Sequence, residues 1–182
     1  MVPNYEKRHF FMAIGIGILF ISPILLLLIP SFIVNSLYLE PGTWVVIAPS
    51  TSYWLYGIGC LLLSIACFIM YLFNVRKLPV FIGIILIIVG AFFLLIGTKP
   101  FIAVSDQGIS IRESTSEINF YAWNEIDHIN YYDIPRSEGF DTYEFHFQDG
   151  NSIQLAENGL LSSYRLHFFN IFQEENLTLH WK

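Results

Sequence analysis

Charged side chains are missing from three long stretches of this 182-residue chain. Residues 10–29, 53–73 and 80–96 contain no Asp, Glu, Lys, Arg or His and are mostly apolar. About 20 such residues are needed for a helix to cross the hydrocarbon core of a bilayer, which is about 30 Å thick. The pattern predicts a multi-pass cell-membrane protein with three transmembrane helices, at about 10–29, 53–73 and 79–97, in a membrane region that covers residues 1–97.

The lack of ionisable residues in these spans argues against a transporter, a pump or a proton relay, because such proteins usually place charged groups within the membrane. The spans carry small residues at helical spacings instead. These residues are Gly57, Cys60, Ser64 and Cys67 in the second span and Gly83, Gly90 and Gly97 in the third. Small residues let helix backbones approach closely, so they predict either packing of the bundle on itself or a homo-oligomer interface. The chain's only two cysteines are among them, which leaves no disulfide to indicate a compartment.

Lys and Arg are absent from residues 30–52. By contrast, Lys7 and Arg8 precede the first span, and Arg76 and Lys77 separate the second span from the third. Cytoplasmic loops carry an excess of Lys and Arg, so we predict a cytoplasmic N-terminus and an external 30–52 loop. Three crossings would place the C-terminal half outside. If one span does not cross, that half returns to the cytoplasm.

The 30–52 loop is itself apolar and rich in β-forming residues. Glu40-Pro41-Gly42 is a turn signal between apolar segments at 32–34, 37–39 and 44–47. The sequence predicts a short hairpin that lies on the external membrane surface.

Residues 98–182 lack long apolar runs, and apolar residues there alternate with polar ones between turn signals. We predict about six or seven strands, with a hairpin at Asp149-Gly150-Asn151, followed by one helix over about residues 160–171. The expected fold of this water-facing domain is mainly β, as an antiparallel barrel or bent sheet that is capped by the helix.

Three segments carry a resemblance to a known family. They are residues 104–109, residues 123–129 and the hairpin residues 147–150 before the predicted helix. In their order they resemble the pleckstrin-homology-like (PH-like) domain of small bacterial multi-pass membrane proteins, over about residues 100–173. The resemblance implies a membrane-associated binding or assembly module and no catalytic residues.

Basic residues are scarce in the domain. Residues 98–182 contain five Lys and Arg but thirteen Asp and Glu, which gives a net charge of −8. An acidic surface repels nucleic acid and anionic lipid headgroups, so we expect neither as a ligand. The expected partners are the lipid bilayer and a protein, either a basic partner or a second copy of the chain.

Recognisable catalytic motifs are missing as well, including the serine nucleophile elbow, the phosphate loop and the dinucleotide fingerprint. His128 beside Asp127, and His146 near Glu144, are the best starting points for a metal site, provided that neighbouring strands present them on one face. Otherwise they are surface or partly buried histidines. Trp123 is predicted to pack in the domain core or to line a ligand site.

From these patterns we predict a non-enzymatic membrane protein that needs no cofactor and anchors a PH-like binding or assembly module. Two alternatives stay open. One is an accessory subunit of a membrane transporter or export complex. The other is a metal-dependent hydrolase site around His128 and His146.

Overall fold

The computed structural model describes residues 5–182 and divides them into two compact units. The helical unit contains the described residues up to Tyr38, together with Ile47–Ile102 and Arg112–Glu117. The β unit contains Leu39–Val46, Ala103–Ile111 and Ile118–Lys182.

The helical unit is built from α1 (Tyr5–Tyr38), α2 (Ser50–Leu72) and α3 (Lys77–Gly97). All three helices are long and apolar enough to cross a membrane. The two later helices have nearly the predicted bounds. The first helix, predicted at 10–29, continues through Pro30 to Tyr38, so the first two apolar segments of the 30–52 loop are largely helical rather than extended.

Two prolines lie inside α1, and a neighbouring side chain compensates for the first. Pro23 has no N–H to donate to the carbonyl of Leu19 one turn earlier. The hydroxyl of Ser22 donates a 3.2 Å hydrogen bond to that carbonyl instead. The helix therefore tolerates a proline within its apolar stretch, where water cannot satisfy a freed carbonyl.

Two four-stranded sheets lie largely within the β unit. The first has the order β1-β2-β3-β4, and the second has the order β7-β6-β5-β8. The strands of the first sheet are β1 (Thr43–Ile47), β2 (Phe101–Ser105), β3 (Gly108–Arg112) and β4 (Asn119–Ala122). Those of the second are β5 (Ile126–Tyr132), β6 (Thr142–Phe147), β7 (Ser152–Ala156) and β8 (Leu179–Trp181).

The second sheet has a buried face and a polar face, and the alternation is clearest in β6. In β6, Tyr143, Phe145 and Phe147 are buried, while the residues between them point to the other side. Two helices, α4 (Gly159–Ser162) and α5 (Arg165–Glu174), follow β7. Phe168 and Phe172 of α5 complete the aromatic core against β6. The mainly-β architecture predicted for the C-terminal half is therefore present.

The predicted surface hairpin in the 30–52 loop is wrong. Only Thr43–Ile47 is extended, and its neighbour in the sheet is β2, which follows α3 in the chain. The loop cannot form a hairpin because Leu37 and Tyr38 continue α1.

Candidate functional site

The outer face of the second sheet carries an ordered array of polar side chains, which we call the polar face. It is formed by His128, Asn130, Tyr132, Glu144, His146 and Gln154. His128 and His146 are directly opposite each other on β5 and β6, and their rings stack with centroids 4.3 Å apart. A metal site at these two histidines would require neighbouring strands to present them on one face, and β5 and β6 do so.

Glu144 is the centre of this face. Its carboxylate accepts hydrogen bonds from Gln154 (3.0 Å), Asn130 (3.0 Å) and the hydroxyl of Tyr132 (2.9 Å). The Nε2 atom of His146 lies 3.0 Å from the same carboxylate. These hydrogen bonds, from Gln154 first and then Asn130 and His146, lower the pKa of Glu144 to about 2. The side chain therefore stays anionic across the physiological pH range.

The imidazoles of the polar face each contact a carboxylate. Nδ1 of His128 lies 2.8 Å from Asp127, which leaves Nε2 as the nitrogen that the carboxylate does not engage. The ring of His180 on β8 lies 5.8 Å from that of His128. Within residues 5–182, however, no group of three or more His, Cys, Asp or Glu side chains is placed to hold a metal ion. The geometry thus brings two imidazoles together without completing a ligand set.

A second polar cluster surrounds Tyr131, whose side chain is buried. Its hydroxyl lies 3.0 Å from Asp141 and 3.0 Å from Glu157, and it accepts a 3.2 Å hydrogen bond from Arg165. Burial, followed by the hydrogen bonds to Asp141 and Glu157, raises the pKa of Tyr131. Burial alone would lower the pKa of Arg165, but Glu157, Tyr131, Tyr143 and Asp141 together outweigh it, and the net shift is upward.

This cluster forms one wall of a cleft of about 480 Å³. The backbone N–H of Ile134, followed by the hydroxyl of Tyr131, lowers the pKa of Asp141 in this wall. Exposed Arg136 and Phe140 lie on its rim. The volume is in the range of small-ligand and peptide sites. The cleft combines both signs of charge with an exposed aromatic ring.

Trp123 lies in the domain core and is 3% exposed. Its indole N–H donates to the backbone carbonyls of Ser105 and Asp106, each at 3.1 Å. The ring contacts Phe145, Phe168 and Phe172 edge-on. This placement matches the core-packing alternative for Trp123.

Trp44 on β1 is a contact residue that sequence reasoning missed. Its ring packs edge-on against His167 at 4.4 Å and Phe168 at 5.7 Å, and stacks near Trp123 at 6.1 Å. Its indole N–H donates to Asp106 at 2.8 Å. A tryptophan in the 30–52 loop was the available signal, since a large aromatic ring usually requires a partner surface.

The predicted small-residue seams face other helices of the same chain. Ser64 donates a 3.1 Å hydrogen bond to the carbonyl of Gly15 on α1, and Gly15 abuts Cys67. On α3, a Cβ atom at Gly83, Gly90 or Gly97 would meet Met70, the Gly59 carbonyl and Tyr56, respectively. Gly57 lies more loosely, near Leu26, and Cys60 lines a groove beside α1.

In comparisons of the chain with protein-family models and with curated proteins, nothing matches.

Proposed function

We propose that this chain is a non-enzymatic integral membrane protein whose three helices anchor a PH-like domain that binds a protein partner. The main support for the proposal is the position of β1 in the sheet formed with strands that follow α3. This strand comes from the connection between α1 and α2, yet its residues up to Val46 belong to the same compact unit as most of the chain after Ile102. The chain therefore connects helices to strands three times, from α1 to β1, from β1 to α2 and from α3 to β2.

This arrangement also supports a topology. Because Leu39–Val46 and most of the C-terminal strands form one unit, we propose that both lie on the same side of the membrane. The chain between them contains α2 and α3, which in this proposal cross as a pair and return to that side. Lys7 and Arg8 at one end of α1, with Arg76 and Lys77 between α2 and α3, favour the cytoplasm for those segments. The domain is therefore proposed to be external.

The proposed ligand of the domain is a basic peptide segment of another protein. The domain has an excess of acidic residues, and its cleft places Asp141 and Glu157 beside the exposed ring of Phe140. Glu157 already forms an ion pair with Arg165 at 3.7 Å. The attraction of a basic partner is therefore assigned to the other acidic residues of the domain, and its orientation to the cleft.

Cysteine labelling tests the topology, and it uses three single-cysteine variants in a background with Cys60→Ala and Cys67→Ala. Pro41→Cys and Ser137→Cys report on the two parts of the β unit, and Asn74→Cys reports on the α2–α3 connection. In intact cells, a membrane-impermeant thiol reagent should label the first two and spare the third until lysis. Labelling of Pro41→Cys and Ser137→Cys from opposite sides would contradict the single unit.

Crosslinking in native membranes tests the partner. A photoreactive amino acid in place of Phe140 should capture one protein in fixed amount, and Asp141→Asn should weaken that capture. The same photoreactive residue in place of Phe120, which is also exposed but lies on β4, is the matched control. Capture of a multi-span transporter would favour the accessory-subunit alternative. Equal labelling from both positions would overturn the cleft as the binding site.

A further inference from the structure

One end of the helical unit brings together the end of α1, the start of α2 and the end of α3. The hydroxyl of Tyr38, the last residue of α1, donates a 3.4 Å hydrogen bond to the carbonyl of Thr98, which follows α3. The hydroxyl of Ser52 in the first turn of α2 donates to the carbonyl of Pro100, also at 3.4 Å. Because the apolar helices all stop here, the proposed membrane insertion places this end at the level of the lipid headgroups.

Arg112 of β3 belongs to the same unit and packs on two aromatic rings at this end. Its guanidinium carbon, Cζ, lies 6.0 Å from the ring centroid of Tyr38 and 5.6 Å from that of Phe101. The two rings are stacked on each other, with centroids 4.0 Å apart. An aromatic ring attracts a cation at distances up to about 6 Å, so both rings help to fix the position of the guanidinium.

The guanidinium of Arg112 has no anionic partner within residues 5–182. None of the ion pairs in that part of the chain includes Arg112. Its Nε atom is covered by protein, whereas Nη1 and Nη2 remain accessible and make no hydrogen bond to the described residues. A half-buried charge without a partner is unfavourable, and an anion that reaches the two Nη groups would relieve the cost.

We propose that Arg112 binds the phosphate of a membrane phospholipid through its two Nη groups. Phosphate is the anion that every phospholipid supplies at the headgroup level, and a guanidinium matches it with two parallel hydrogen bonds. Lys99, which is exposed just after α3, adds a second positive charge to the same unit. The inference rests on the proposed membrane insertion of the three helices.

The charge of the chain predicts which phospholipids bind. Residues 98–182 contain five Lys and Arg against thirteen Asp and Glu, and exposed Glu113 follows Arg112 directly. Such acidic surroundings disfavour a pocket that selects anionic headgroups. A single phosphate contact does not need a net negative lipid, so phosphatidylcholine should bind Arg112 as well as phosphatidylglycerol does.

Solid-state NMR of the full chain in phosphatidylcholine vesicles measures this contact. Arginine is labelled with ¹³C at Cζ, and dipolar coupling to ³¹P reports the distance to phosphate. Subtraction of the Arg112→Gln spectrum from the wild-type spectrum isolates the signal of Arg112. This signal should show the strong coupling of a guanidinium whose nitrogen lies about 2.8 Å from a phosphate oxygen. Arg112→Lys keeps the positive charge and isolates the same signal, so the result does not depend on the folding of the Gln variant.

Two further variants test the role of the ring. Tyr38→Leu removes one ring beside the guanidinium and should lower the coupled fraction of the Arg112 signal about two-fold or more, as expected for one cation–π contact. Tyr53→Leu is the matched control, because the Tyr53 hydroxyl pairs with Ser31 at 3.0 Å instead. This control should leave the coupled fraction unchanged.

A second subtraction controls for general contact with headgroups. Arg136→Gln isolates the signal of an arginine that is exposed in the loop between β5 and β6. Arg136 lies close enough to Asp141 to lower the pKa of that carboxyl, so it already has a neighbouring negative charge. Its signal should show little coupling to ³¹P.

The possible results bear on different parts of the inference. No coupling of Arg112 in either difference spectrum, from a chain that resists extraction by alkaline carbonate, would overturn the phosphate site. Equal coupling of Arg136 would show general headgroup contact and would also overturn it. Coupling that appears only after phosphatidylglycerol is added would overturn binding to zwitterionic lipid, and an unchanged signal in Tyr38→Leu would overturn the role of the ring. Release of the chain by carbonate would instead contradict the membrane anchoring in the proposed function.

Discussion

At the scale of single residues, the polar face depends on one carboxylate with several donors. Glu144 has a side chain that is 15% exposed and receives bonds from β5, β6 and β7. Such cross-strand bonds to a charge are stronger than those between neutral groups. Glu144 is therefore expected to hold three strands in register as well as to shape the surface.

The depressed pKa of Glu144 predicts a specific loss of stability in acid. Its folded pKa of about 2 lies below the ordinary value of 4.5, so its contribution is complete above pH 4.5 and is lost as the pH falls towards 2. We expect the wild-type protein to lose up to about 3 kcal/mol of stability from this group over that interval. Glu144→Gln should be less stable at neutral pH and should not show this additional loss.

The measurement is the thermal unfolding of the full chain in detergent, followed by tryptophan fluorescence between pH 2 and pH 7. Glu138→Gln is the control, because Glu138 is an exposed carboxylate in the loop between β5 and β6. If Glu144→Gln and the wild type lose stability in parallel below pH 4.5, the carboxylate does not stabilise the folded sheet.

At the scale of elements, β1 decides how the domain is built. Val45 and Val46 are buried, and the ring of Trp44 reaches the aromatic core. Alternation of apolar and polar residues correctly predicted most strands after residue 100. It could not identify the partner of β1, because the backbone hydrogen bonds that pair two strands are the same for almost any sequence. The 53 residues that lie between β1 and β2, from Ala48 to Pro100, also exceed the range of any local pattern.

Trp44→Ala should loosen the domain without affecting the helices. We expect a loss of about 2–3 kcal/mol, because the ring is only partly buried but contacts several aromatic residues. Hydrogen exchange of the β2 and β3 amides should rise clearly, while that of α2 should not change. Trp181→Ala is the control, since Trp181 is 62% exposed on β8 and should cost less than about 1 kcal/mol. If hydrogen exchange of the β2 amides is the same in Trp44→Ala as in the wild type, then β1 does not stabilise the sheet.

At the scale of the whole molecule, the helices pack through glycines. A Cβ atom at Gly90 would lie 3.1 Å from the carbonyl of Gly59, and one at Gly59 would lie 2.7 Å from Leu94. These contacts hold α2 and α3 closely together within one chain. The sequence spacing identified the seam on α3, but it could not distinguish packing within a chain from packing between chains, because both need the same small residues.

Gly90→Leu should therefore separate α2 from α3 and lower the thermal stability of the purified protein by about 3 kcal/mol. Ala91→Leu, at an exposed neighbouring position, is the control and should have little effect. Thermal denaturation in detergent is the readout, together with chemical crosslinking of the native protein in membranes. If Gly90→Leu leaves stability unchanged but abolishes a crosslinked dimer, the seam joins two copies instead.

Local patterns were enough to place the three apolar helices and to recognise a mainly-β second half, because span length, hydropathy and turn signals act over a few neighbouring residues. Other features arise only from contacts between distant parts of the chain. The entry of β1 into the domain sheet and the stacking of His128 on His146 are of this kind. Each depends on which surfaces of the folded chain come into contact, and the local spacing of residues does not determine those contacts.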